Sequence, residues 1–398
     1  MTSDFLVIGG GIIGICVARE LKRRYADSKV TLIEKEKTCA QHASGRNSGV
    51  LHAGFYYTAD SFKAKFTRDG NAQLTEYCEA RHIRINKCGK LVIAQSEADH
   101  RLLDELLRRG RNNGVQLEEV DEDGVKKIDP RALTCGRAIF SPTTSSVDPE
   151  TVVRSMEKEA KEEGVSIHYG VSYCDRVKAG VQTSTGTYDA GYIVNAAGLY
   201  ADHIARDFGF SQDYRILPFK GLYLYSNERP WSIRTNIYPV PDLRNPFLGV
   251  HFTVTVDGHA KIGPTAIPAL WREQYQGNEN FRMNEFLDIL RRQVSLFLSS
   301  KFDFKRLAFD ELRKLVRSHM VSVATALAKG VKKDNYRQWG RPGIRAQLLN
   351  IKEKKLEMDF VFEGDNRSFH ILNAVSPGFT CCLPFSHFVC DAIAVKLA

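Results

Sequence analysis

The chain has 398 residues, 43% of them hydrophobic and 26% charged, with a formal net charge of +9. This balance excludes a disordered, collagen-like or coiled-coil chain, and the length suits two or three domains or two interleaved ones. The longest apolar stretch, Phe5–Ala18, has 14 residues and four glycines, too few for the about 20 that a bilayer span requires.

Phe5–Ile8 predicts a short strand, stopped by three glycines. Ile12–Tyr25 predicts a helix and Val30–Ile33 a second strand ending at Glu34, together a βαβ unit. A polar loop follows from Cys39 to Tyr57. Helical patterns occupy about Ser61–Arg81 and Glu97–Asn113, with a strand of a different sheet at Lys90–Ala94. Asp148-Pro149 opens a helix running to about Glu163, with Pro149 at its first position. Strands at Val165–His168 and Tyr192–Gly198 return the chain to the first sheet after an insertion. Short β-like runs alternate with Gly and Pro from Pro218 to Gly263. Two helices are predicted at Asn284–Phe297 and Phe309–Lys329, the first with Phe286, Ile289, Leu290, Val294 and Phe297 on one face. Strand-like runs at Met358–Phe362 and His370–Asn373 precede a Ser-Pro-Gly turn and a last helix from about Pro384.

Nine cysteines without a CxxC pair, and eleven histidines without HExxH spacing, predict free thiols and no metal site. Met1 stands a few residues from the first strand, which leaves no room for a leader. The expected location is the cytoplasm, or the mitochondrion if a presequence has been removed. Between Phe281 and Lys333 there are twelve Lys/Arg and five Asp/Glu, most of the excess charge of the chain. Such clustering suits an acidic partner, here an anionic membrane surface on its inner face. A nucleic-acid surface needs aromatic residues interleaved with the basic ones. Phe286 and Phe297 follow a core-facing spacing instead, so no nucleic acid is expected.

Gly9, Gly11 and Gly14 fit GxGxxG, and Glu34 follows 20 residues after Gly14. The first glycine makes a tight turn, the second admits a pyrophosphate, and the third packs helix on strand. The helix N-terminus then faces the phosphates. A carboxylate at Glu34 suits ribose hydroxyls and disfavours a 2′-phosphate, leaving NAD and FAD. The loop Ser44-Gly45-Arg46-Asn47-Ser48-Gly49 packs donors between small residues, which suits phosphates and a flat ring and favours FAD.

At this point the chain resembles the D-amino-acid oxidase-like, FAD-dependent oxidoreductases, and within them the L-2-hydroxyglutarate dehydrogenase/oxidase group. The segments that carry the resemblance are HASGRNSGVLHAGFYY at 42–57, CGKL at 88–91, AGLYAD at 197–202, NIYPVPD at 236–242, PFLGVHFT at 246–253, GIRAQ at 343–347 and NAVSPG at 373–378. They span nearly the whole chain. The resemblance implies an α/β (α+β overall) fold, a Rossmann-type FAD-binding domain interleaved with an antiparallel-sheet substrate domain. The expected FAD domain combines 1–80, 145–215 and 338–398, and the substrate domain 81–144 and 216–337. Expected FAD contacts are Gly9, Gly11, Ile12, Ile13, Gly14, Glu34, Lys35, Ser44, Arg46, Asn47, Ser48, Gly49, Ala197, Gly198, Pro377 and Gly378. After NAVSPG the sequence FTCCLPFS departs from the small residues usual in the group, and Phe379, Cys381 and Cys382 are expected beside the flavin.

The implied reaction converts L-2-hydroxyglutarate to 2-oxoglutarate, with electrons passing to a quinone or another acceptor. The alternative is an amine or amino-acid oxidase of the same fold, of the D-amino-acid, glycine or sarcosine type. A dicarboxylate substrate needs an anchor at each carboxylate, for which Arg345 comes first and Lys220 and Tyr238 next. Oxidation also needs a base for the hydroxyl proton, and histidine suits this near neutral pH. His52 and His251 are the candidates.

Overall fold

In the computed structural model, which describes residues 1–243, 247–299 and 304–398, Thr2–Ile8 (β1) ends in four consecutive buried residues. A strand buried on both faces belongs in a parallel sheet covered by helices. β1 pairs in parallel with Val30–Glu34 (β2) on one side and with Gly186–Asn195 on the other. Ile12–Arg24 (α1) makes the crossover between β1 and β2. The sheet continues in parallel through Ser166–Tyr169 beyond β2 and through Ser368–Asn373 beyond Gly186–Asn195. Tyr173–Val177 and Gly180–Thr183 add an antiparallel meander at the start of the long strand.

A second eight-stranded sheet runs in the order Gln338–Trp339, Leu224–Tyr225, Ala260–Gly263, His251–Val254, Asn236–Pro239, Lys90–Ile93, Arg137–Ser141, Glu118–Asp121. Its pairs are antiparallel except one, Asn236–Pro239 against Lys90–Ile93. A third sheet is built on Tyr214–Gly221, which pairs with Gly343–Asn350 along its whole length. The expected boundary at 215/216 falls inside that strand. Gln338–Trp339, expected with the FAD domain, pairs into the second sheet.

The segment predicted as one helix from Phe309 to Lys329 is two, Phe304–Arg313 and Arg317–Thr325. Lys314, Leu315 and Val316 close i→i+3 turns, and Val316 is extended, which ends the first helix without Gly or Pro. Among the described side chains of Met283–Ser299 only Ile289 and Leu296 are fully covered; Val294 and Phe297, expected on the buried face, are exposed. Phe302 and Pro246 lie outside the described residues. All nine cysteines are free thiols.

Candidate active site

A cavity of about 1510 Å³ runs from the α1 N-terminus to the strand Gly343–Asn350. It exceeds the roughly 300–1,000 Å³ of a site for one drug-sized ligand, leaving room for a dinucleotide and a small substrate together. At one end lie Gly9, Gly11, Ile12, Ile13, Glu34 and Lys35, with Ala197 and Gly198 beside them.

The glycines divide the labour. Gly9 has φ +112°, and a Cβ there would lie 2.6 Å from the Ala196 carbonyl oxygen. Gly14 lines nothing; its Cβ would lie 2.0 Å from the Gly9 oxygen, so it seats helix on strand. At Gly11 a Cβ would meet one atom, Ser44 Oγ at 3.1 Å. Protein packing alone scarcely requires a glycine there, whereas a pyrophosphate at the helix N-terminus does. Glu34 Oε2 accepts from Gly10 N at 2.6 Å and Oε1 from Glu36 N at 2.9 Å. The carboxylate is thus held at the cavity wall, at the end of β2. These residues fit the adenosine and pyrophosphate of FAD.

The 44–49 loop is more self-contained than its composition suggests. Ser44 Oγ accepts from Ile12 N at 2.9 Å, filling part of the α1 cap. Asn47 donates to Ser44 O and accepts from Gly49 N. Arg46 donates to Gln41 O at 2.6 Å and lies over the Tyr275 ring at 4.1 Å. Ser44, Arg46, Asn47 and Ser48 still line the cavity, but Gly49 does not; its backbone faces Val147 O. Ser48 O accepts from the buried Lys261 Nζ at 3.1 Å.

Pro377, Gly378, Phe379 and Thr380 border the other end. Thr380 Oγ1 accepts from His52 N at 3.2 Å and donates to Val50 O at 3.4 Å, tying this loop to the His52 loop. Cys381 and Cys382 differ from expectation: both are fully covered and packed in the core with α1 and Phe62–Ala80, and neither lines the cavity. The helix Cys382–Leu397 starts here and turns them inward.

Arg345 lies opposite Phe219 across the strand pair and over the Phe247 ring at 5.2 Å. Burial pushes its guanidinium down to about 10. Lys63, near the start of Phe62–Ala80, also lines the cavity, and burial followed by the charge of Arg345 pushes it down to about 7. The nearby Asp359 carboxylate accepts from the backbone N–H groups of Phe62, Lys63 and Phe360. Lys220 is not brought to the site. Side chains alternate along a strand, and Lys220 follows the cavity-lining Phe219 onto the opposite face.

His251 is buried, stacked on Tyr238, and its Nδ1 is 2.8 Å from Gly249 O. A carbonyl only accepts, so Nδ1 carries the proton and Nε2 is the atom able to take one. Burial pushes this imidazole down to about 3. His52 is pushed down as well, by burial and then by Lys90, His251 and Arg345. Both histidines are neutral at neutral pH, well below the range first expected. His52, His251 and Tyr238 all line the cavity.

Sequence reasoning missed Lys63, Lys90 and the tyrosines Tyr56, Tyr57 and Tyr223. Lys63 reads as an ordinary lysine on a helix. Lys90 left a signal: a lysine between Gly89 and the apolar run Leu91–Ala94.

The FAD dependent oxidoreductase family model matches residues 4–391. L-2-hydroxyglutarate dehydrogenase of Escherichia coli strain K12 is 33% identical over 99% of this chain and 94% of its own length. The mitochondrial L-2-hydroxyglutarate dehydrogenase of Bos taurus is 35% identical over 98% of this chain and 88% of its own. Among solved structures, the FAD-bound, dithionite-reduced L-alpha-glycerophosphate oxidase of Mycoplasma pneumoniae superposes with a TM-score of 0.77 at 20% identity, covering 99% of this chain and 95% of that one. Glycine oxidase of Geobacillus kaustophilus gives 0.73 at 18% identity, covering 99% and 95%. The fold is thus shared with oxidases of other substrates, while both relatives compared by sequence are L-2-hydroxyglutarate dehydrogenases. The chain belongs to the FAD-dependent oxidoreductase family and, within it, to the L-2-hydroxyglutarate dehydrogenases, enzymes with FAD as cofactor that act on CH–OH.

Proposed function

We propose that the protein oxidises L-2-hydroxyglutarate to 2-oxoglutarate and passes the electrons to a quinone or another lipid-accessible acceptor. The observation that carries the substrate reading is that Arg345 and the buried Lys63 line the cavity close enough for Arg345 to push the Lys63 ammonium down. Two carboxylates entering between them would relieve that repulsion. Arg345 meets a carboxylate with its planar fork, and Lys63 serves the second. Tyr238 and His52 shape the pocket between them. His251 takes the hydroxyl proton at Nε2, because Nδ1 is committed to Gly249 O. FAD, when bound, supplies the hydride acceptor. An amino acid with one carboxylate leaves one of the two cations unserved, which disfavours the amine-oxidase alternative. The test is anaerobic bleaching of the visible flavin absorbance: L-2-hydroxyglutarate is expected to bleach it, and D-2-hydroxyglutarate, glycine, sarcosine and D-amino acids are not. Bleaching by an amino acid alone would reverse the assignment.

The acceptor reading is supported by the surface around the cavity mouth. Of sixteen exposed large apolar side chains among the described residues, ten lie between Phe281 and Val316. Exposed Arg282, Arg291, Lys305, Arg306 and Arg313 lie among them. Monomeric soluble proteins rarely leave such a patch uncovered, and basic residues mixed with apolar ones match an anionic lipid surface. Met283, Asn284 and Glu285, from the first turn of the same helix, line the cavity. No helix among the described residues is long and apolar enough to cross a membrane, so the contact would be peripheral.

A further inference from the structure

Lys90 has no solvent exposure, and its Nζ has no hydrogen-bond partner among the described residues. It stands 4.5 Å from the ring centroid of Tyr56, 4.7 Å from Phe55 and 5.0 Å from Tyr238. Ring faces attract an ammonium but accept no strong hydrogen bond, and a lysine is seldom buried unless paired. Two of the three rings, Tyr56 and Tyr238, line the substrate end of the cavity, so Lys90 lies just behind its wall.

The groups around it are uniform in sign. The loop after Val50–Leu51 contributes Phe55, Tyr56 and His52. The neighbouring strands contribute Tyr238, with Asn236 in register with Lys90 on one side and Ser141 on the other. His251 stacks behind Tyr238, and Cys88 lies on the same strand lead-in. The phenols of Tyr56 and Tyr238 are pushed upward by burial and stay neutral, as does the Cys88 thiol. The formal charges that act on these groups are positive: Arg345 acts with Lys90 on His52, and Lys314 and Lys261 act with it on His251. Among the described residues no acidic side chain stabilises its ammonium.

We propose that Lys90 is a substrate-linked protonation site: it takes up one proton from solvent as the dicarboxylate enters, and releases it when the product leaves. The balance is one H⁺ from bulk water to Nζ per dianion bound, with no bond to the substrate. Lys90 is then a positioning residue, its ammonium tolerated once the dianion offsets the positive charges of Arg345 and Lys63, while the aromatic wall keeps it from the reacting atoms. Burial supports this by pushing the lysine down to about 7 in the empty pocket. Negative charge brought close to a cation raises its proton affinity, and by linkage the proton strengthens anion binding by the same factor. The inference rests on the dicarboxylate reading given above.

The experiment is titration calorimetry of the FAD-loaded protein with 2-oxoglutarate, in buffers of different ionisation enthalpy, at about pH 8, above the point where burial lets Lys90 deprotonate. The buffer dependence of the heat gives protons taken up per ligand. Wild type is expected to take up about one proton more than Lys90→Arg, which stays charged and is expected to bind 2-oxoglutarate with only the uptake of Lys63, also pushed down by burial. Should Lys90→Arg not fold, Lys90→Met, whose flexible thioether suits an aromatic cage, reads the same quantity and is expected to bind more weakly, again with about one proton fewer than wild type. Uptake unchanged in either variant, or wild-type binding without uptake, overturns the assignment of Lys90 alone. Absence of any 2-oxoglutarate binding, together with no flavin bleaching by L-2-hydroxyglutarate, overturns the substrate reading and this inference with it.

Discussion

The rings of Tyr238 and His251 stack with centroids 3.7 Å apart and planes inclined by 16°. Together with the Nδ1–H to Gly249 O hydrogen bond, this fixes the imidazole in both plane and tautomer. A base fixed in this way costs little reorganisation when it accepts a proton.

The acid limb of kcat/KM follows from this. His251 accepts a proton only when neutral, so activity is present above its pKa and is lost as pH falls through it. Burial has pushed that value down to about 3, so kcat/KM should show no fall from neutrality to about pH 5, below the usual histidine value of about 6.5. His251→Asn should lower kcat by about 10²–10⁴-fold across that range. A limb at the ordinary histidine value, or full activity in His251→Asn, would remove His251 as the base.

Arg345→Ala should reduce kcat/KM for L-2-hydroxyglutarate by roughly ten- to a hundredfold or more, since charged hydrogen bonds contribute about 1.5–3 kcal/mol each. Arg345→Lys should recover little, because a lysine gives up the two-bond geometry. Steady-state kinetics of both variants decide it; wild-type values in each would free Arg345 of a substrate role.

Gly11 and Gly14 should respond differently to substitution. Gly11→Val crowds the phosphate side of the α1 N-terminus but meets little protein, so it should fold and purify with little or no flavin. Gly14→Ala drives a Cβ to 2.0 Å from the Gly9 oxygen and should destabilise the fold itself. Visible absorbance per mole of protein and circular dichroism separate the two outcomes. A yellow, fully loaded Gly11→Val would contradict the phosphate assignment.

Vesicle co-sedimentation tests the basic apolar face. Binding to phosphatidylglycerol vesicles should be strong at low salt and weak at high salt, each basic residue near the surface contributing about 1 kcal/mol within a Debye length. Leu298→Asp, at an exposed apolar position, should weaken binding without touching catalysis with a water-soluble dye acceptor. Binding that salt does not weaken would rule out electrostatic docking.

The βαβ unit and its glycines were legible because each requirement is local: a strand end, a helix start, a carboxylate at the right spacing. Arg345, Tyr238, His52 and His251 were found through motifs and do converge on one cavity. Lys220 failed because its motif names a strand but not the face on which each residue stands, and that parity is set by pairing with Gly343–Asn350. Cys381 and Cys382 were misread for a related reason: the loop borders the site, but the helix that follows rotates them into the core. Lys63 and Lys90 were overlooked because lysine is expected at the surface, and only tertiary burial makes these two unusual.

The nucleotide-binding sheet is closed by the last strand of the chain, Ser368–Asn373, which pairs with Gly186–Asn195. The final helix, Cys382–Leu397, then packs against α1, where Arg24 meets Asp391 at 2.6 Å. α1 and Cys382–Leu397, far apart in the sequence, are therefore neighbours. Folding cannot be completed stepwise from the N-terminus; β1 and α1 wait, with their apolar faces open, until more than three hundred residues have been added. Such distant pairings are slow to form and leave hydrophobic surface open to association meanwhile. Loss of even the last helix would uncover α1 and the thiols Cys16 and Cys78 beside it, so truncations near the C-terminus should be read out as aggregation and lost flavin well before any change at the substrate end.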